Sequence, residues 1–171
     1  MIKKAYADTS GGQCHYRYQI GINDPVVFLH QTPSSSQMFE AIMQRLQEQA
    51  SYAIDTPGFG QSFNPDDFPS MAEYSGWLVE AIHSIGIDNV HLFGHHTGSS
   101  MAIQIAQDHP ELIASLTMIG QFIATADEKE EMRKTISSNW GPVEDGSHLM
   151  KAWNLVGNNL GARGNIKLHH R

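Results

Sequence analysis

Hydrophobic and polar positions alternate over Lys3 to Thr9 and again over Gln13 to Gly21, with Ser10-Gly11-Gly12 between them. A period of two on both sides of a glycine-rich turn predicts an antiparallel hairpin. The pattern then changes. Pro25-Val26-Val27-Phe28-Leu29 is a short, continuous apolar run, as a strand buried on both faces requires. It ends at His30-Gln31-Thr32-Pro33, after which Ser34-Ser35-Ser36 offer hydroxyls to the free N–H groups of a helix start. Met38, Ile42, Met43 and Leu46 follow at helical spacing. Ser51-Tyr52-Ala53-Ile54 predicts a further strand, closed by the turn-forming Asp55-Thr56-Pro57-Gly58-Phe59-Gly60. Pro65 to Pro69 reads as loop. Met71 to Ile85 is an amphipathic helix carrying Trp77, Leu78, Ala81 and Ile82, stopped by Gly86.

The next stretch organises the rest. Asn89-Val90-His91-Leu92-Phe93 is apolar and strand-like, and Gly94-His95-His96-Thr97-Gly98 turns at once into the helical pattern of Gly98 to Gln107. Strand, sharp turn and helix around Gly-x-x-x-Gly is the layout of a nucleophile elbow, and it sets His96 at the apex. Asp108-His109-Pro110 breaks that helix and Leu116 to Ile119 forms one more strand. Alternating strand and helix predict an α/β fold: a mostly parallel sheet with right-handed crossovers and helices on both faces. From Thr125 the character changes. Asp127 to Arg133 reads as a charged helix, Asn139 to Gly146 as loop, and Leu149 to Val156 as an amphipathic stretch with Trp153. The Gly- and Asn-rich run Gly157 to Asn165 reads as loop or disorder.

Composition narrows the partners. Net charge is −7 with no densely basic stretch, which argues against nucleic acid or an anionic membrane surface and leaves a small molecule as the expected ligand. Cys14 is the single cysteine, so neither an intrachain disulfide nor a cysteine zinc site can form. The N-terminal residues lack the apolar core of a secretory signal, and no run approaches transmembrane length, so a cytoplasmic location is the expectation.

Three motifs now stand in order: His30-Gln31-Thr32-Pro33-Ser34-Ser35-Ser36 after an apolar strand, Asp55-Thr56-Pro57-Gly58-Phe59-Gly60-Gln61-Ser62, and the Gly94 to Gly98 elbow. With the opening hairpin they closely resemble the α/β-hydrolase superfamily over roughly Lys3 to Ile123. The resemblance implies a hydrolase-type core over 1–123 and a partial helical cap and tail over 124–171. It implies an oxyanion hole, with one N–H from the turn around Gln31 and Thr32 and the other from Thr97. Two fixed donors aimed at one point stabilise a tetrahedral oxyanion.

Three departures from the family pattern bear on chemistry. Gln31 stands where a glycine is common, and His96 stands where the family has Ser, Cys or Asp. The family's last two strands, which deliver the catalytic acid and the general-base histidine, have no counterpart, so the chain reads as truncated. Gly120-Gln121-Phe122, the alternative place for the acid, holds no carboxylate, and His169 and His170 match no family motif. A parallel sheet ending at Leu116 to Ile119 would have an open apolar edge and a tendency to self-associate.

His96 can be nucleophile, base or ligand contact, since a neutral imidazole attacks acyl groups. Thr97 is expected to act through its backbone N–H. His91 and His95 do not converge with His96 on a metal, and no metal or cofactor is implied. Asp55 and His30 read as structural, His83 as surface or satisfied core, and Trp140 and Trp153 as packing. The expected function is that of an α/β-hydrolase-like protein acting on a small ester, lactone, amide or similar electrophile. The alternatives are a non-catalytic binding or sensing module and an inactive fragment of a longer hydrolase.

Overall fold

Strands β1 (Lys3–Thr9) and β2 (Gly12–Gln19) pair antiparallel, with Lys3 opposite Tyr18 and Thr9 opposite Gly12. The hairpin is as expected, and β2 continues it by pairing antiparallel with β4 (Gln49–Ile54). The computed structural model describes residues 1–121, 123–136 and 142–159. Strands β3 (Asn23–Leu29), β5 (Val90–His95) and β6 (Ile113–Ile119) complete one sheet in the order β1-β2-β4-β3-β5-β6. The β4-β3-β5-β6 part is parallel throughout. The fold is thus the expected mostly parallel α/β sheet.

Alternation along β3 explains the two layers. Val27 and Leu29 point to one face, where they join Ile54, Val90, Leu92 and the helices α2 (Met71–Ser84) and α3 (Thr97–Asp108) in the main core. Phe28 points to the other, where it packs with Ala53, Phe39 and Met43. Phe39 and Met43 belong to a 3₁₀ turn, Ser36–Phe39, that runs into α1 (Glu40–Met43). Burial of an aliphatic or aromatic side chain contributes about 1.5–3 kcal/mol, so these two clusters hold the sheet between its layers.

Local signals account for the helix ends. Ser35 accepts the Gln37 N–H at the start of the 3₁₀ turn. Ser70 and Glu73 cap α2 reciprocally, each side chain accepting the other's backbone N–H. The α1 helix ends at Met43, and its hydrogen bonding runs on for a further turn, the Leu46 N–H donating to the Ile42 carbonyl at 3.2 Å, as the helical spacing of Met38, Ile42, Met43 and Leu46 leads one to expect. The Glu48 carbonyl then accepts the N–H groups of Ile22 and Asn23, and β4 begins at Gln49. One expectation is corrected. Gly157 to Asn159 read as loop, yet they belong to α5 (Ser147–Asn159). The remainder of that run, with Trp140, His169 and His170, lies outside the described residues.

The chain divides into two compact units, Met1–Phe122 and Ile123–Arg171. The second holds α4 (Ala126–Ile136) and α5. Thr125 and Glu128 form a reciprocal cap at the start of α4. Among the described residues no helix is long and apolar enough to cross a membrane.

Candidate active site

A single residue, His96, separates the end of β5 from the start of α3. It has φ 50° and ψ −114°, and among the described residues it is the one non-glycine residue with positive φ. The flanking glycines make this turn sterically feasible. A β-carbon on Gly98 would lie 2.1 Å from the Leu29 carbonyl oxygen, and one on Gly94 would lie 2.5 Å from Cα of Ser99. No side chain fits at either position. The apex is also tied to β6: the His96 N–H donates to the Ile119 carbonyl at 2.8 Å, and the Ser99 hydroxyl donates to the same oxygen at 3.2 Å. The His96 carbonyl accepts the Ser99 N–H at 2.9 Å.

The imidazole of His96 is exposed. Its ring stands perpendicular to that of His95, with centroids 4.6 Å apart, and its Nε2 lies against Gly120 at the end of β6. Partial burial, and then the neighbouring His96, hold the His95 imidazole below its ordinary pKa. Among the described residues, no carboxylate is hydrogen-bonded to the His96 ring.

The turn after β3 approaches the same apex. The Thr32 N–H donates to the Thr97 hydroxyl at 2.7 Å, and that hydroxyl donates to the Thr32 hydroxyl at 3.0 Å. Residues 65 positions apart in sequence thus meet beside His96. The Gln31 carbonyl is turned back, accepting the His30 Nδ1–H at 2.8 Å. His30 is fully buried, and its Nε2 accepts the Thr56 N–H at 2.9 Å. The two contacts assign the neutral ring with its proton on Nδ1, because Nε2 can accept only without one. Burial lowers the His30 pKa, which agrees with that neutral ring.

Asp55, buried at the end of β4, clamps the turns underneath. Its carboxylate accepts N–H groups from Ser36 at 2.5 Å and Gln61 at 2.9 Å, and faces His15 Nδ1 at 2.8 Å. Burial alone would raise the Asp55 pKa, but the Ser36, Gln61 and His15 contacts together bring it below the usual carboxylate range. Asp55 and His30 therefore sit in structural positions. His15 escaped sequence reading, since it alternates along β2 like any other strand residue. Gly120 was legible as a glycine but not as the neighbour of His96.

Within the described residues of the first unit, His95 is the histidine whose ring contacts that of His96. His91 Nδ1 lies 2.7 Å from the Ser115 hydroxyl. It lines a cleft of about 370 Å³ with Val26, Phe28, Leu46 and Phe93 on the α1 face of the sheet, away from the apex. His83 is exposed on α2. Among the described residues no three His, Cys, Asp or Glu side chains gather as metal ligands.

Comparison with known proteins decides the family. The model of the alpha/beta hydrolase fold matches residues 24–141, more than half of the chain. This chain belongs to the α/β-hydrolase family. It is 22% identical over 120 residues to (E)-2-((N-methylformamido)methylene)succinate hydrolase of Acinetobacter baylyi, covering 70% of this chain and 45% of that one. It is 27% identical over 128 residues to a haloalkane dehalogenase of Mycolicibacterium paratuberculosis, covering 71% and 42%. The crystal structure of haloalkane dehalogenase DbeA from Bradyrhizobium elkani superposes with a TM-score of 0.75 at 23% identity, over 94% of this chain and 57% of that one. This α/β-hydrolase chain thus spans about half the length of these relatives.

Proposed function

We propose that this α/β-hydrolase chain carries the apex and oxyanion half of a hydrolase site acting on a small ester, lactone, amide or similar electrophile. The neutral His96 imidazole adds to the acyl carbon and the alcohol or amine leaves, giving an acyl-imidazole that water hydrolyses to the acid. Alternatively, the ring takes a proton from the attacking water. In either route the N–H groups of Thr97 and Thr32 receive the oxyanion. The turn around Gln31 and Thr32 left two donors open. Thr32 is preferred, because its N–H stands beside the apex, where it donates to the Thr97 hydroxyl oxygen. The observation that carries the reading is the φ 50° conformation of His96 between strand and helix. Holding a non-glycine residue there costs on the order of 1–3 kcal/mol, and such outliers cluster where a side chain must be presented.

The test is ester turnover. The wild-type chain should hydrolyse p-nitrophenyl acetate above background, and His96→Ala should abolish that rate while leaving the fold intact. A rate unchanged by the substitution would remove His96 from the chemistry.

A second reading rests on His96 standing where the family has Ser, Cys or Asp: a module that binds a small ligand without turning it over. It predicts ligand affinity with no hydrolysis in either protein. Among the described residues β6 pairs on one side, with β5, and its Met118 and Ile119 are 44% and 51% exposed, which supports self-association of the chain as a further proposal.

A further inference from the structure

The Thr32 N–H already has an acceptor. It is held at 2.7 Å by the Thr97 hydroxyl oxygen, whose own proton is directed at the Thr32 hydroxyl at 3.0 Å. We infer that the Thr97 hydroxyl is the resident occupant of the oxyanion position and gates it, admitting a ligand with an anionic oxygen when the Thr97 side chain turns away. The inference rests on the proposed role of Thr32 as oxyanion donor.

The gate follows from acceptor strength. An alcohol oxygen and a neutral ester carbonyl are comparable acceptors, so a ground-state ester gains little by displacing Thr97. A hydrogen bond to an ionised oxygen is roughly twice as strong. Carboxylates, phosphonates and a tetrahedral oxyanion therefore displace the hydroxyl where a neutral carbonyl does not. The contact thereby biases the site towards charge developed in a transition state. Both threonines are exposed, so the side chain has room to turn and water can meet the freed hydroxyl.

Thr97→Val tests this, because valine keeps the branched shape and removes the oxygen. Thr97→Ser keeps the oxygen. The probe is phenylphosphonate, titrated into the full chain while the Thr32 amide is followed by NMR. In T97V the Thr32 amide should lose protection from hydrogen exchange and phenylphosphonate should bind about two- to tenfold more tightly, the worth of one net hydrogen bond. T97S should keep the wild-type protection. Unchanged protection of Thr32 in T97V would overturn the gate. Equal affinity in both chains, with Thr32 shifted by the ligand in each, would overturn the gate while leaving Thr32 as a donor. Failure of either chain to bind the phosphonate at Thr32 would overturn both the donor role and the gate.

Discussion

A β-carbon on Gly120 would stand 2.7 Å from Nε2 of His96. The glycine at the end of β6 thus makes the space that the imidazole at the end of β5 occupies, and its φ of +68° is one that a side chain rarely adopts. Gly120→Ala should therefore displace the His96 ring and add backbone strain. The expected loss is about 1–2 kcal/mol of stability, the cost of a left-handed conformation for a residue with a β-carbon. Urea denaturation reads the stability, and the His96 ring resonances should move while those of His91 stay in place.

Stability should depend on pH in two separate windows. His30 has a folded pKa below its unfolded value, so the unfolded chain takes up the extra proton. Its contribution is complete above an unfolded pKa of about 6.5 and declines as pH falls through that value towards the folded one. Asp55 also has a depressed pKa, but as an acid its contribution is present above an unfolded value of about 3.9 and is lost as pH falls through the folded one. Denaturation midpoints should fall first between pH 7 and 5 and again below pH 4. A flat profile from pH 7 to 5 would contradict the neutral, buried His30.

Asp55→Ala should be among the most disruptive substitutions in the first unit. It leaves the Ser36 and Gln61 N–H groups and the buried His15 ring without their acceptor. The two groups on the buried Ser36 and His15 cost roughly 1–3 kcal/mol each when stranded, so a total loss of about 2 kcal/mol or more is expected, read as a lowered thermal midpoint. Removing the exposed His83 by alanine substitution should change the midpoint by less than about 0.5 kcal/mol equivalent.

Cys14 is fully buried on β2, and burial pushes its thiol pKa up to about 11. The thiolate is the reactive species, so labelling by iodoacetamide at pH 8 should require the chain to open. The rate should rise in urea in step with unfolding. Rapid labelling of the folded chain would mean that β1 and β2 separate locally.

The three family motifs were legible because each is a contiguous run whose glycines and prolines dictate a local turn. So were the hairpin, the strand–helix alternation and the position of His96 at the apex. What the runs could not encode was their meeting. Nothing in the order of residues says that Thr32 and Thr97 bond across 65 positions, that His15 faces Asp55, or that Gly120 borders His96. The segment after β3 shows the same division: helical spacing matches the turn that runs to Leu46, whereas the pairing of the Glu48 carbonyl with the Ile22 and Asn23 N–H groups could not be read from it. The sequence by itself determined the local conformations, since backbone sterics and hydrophobic period act over a few residues. Tertiary structure alone decided which donor faces which acceptor, because those contacts form only when the sheet brings segments distant in sequence side by side.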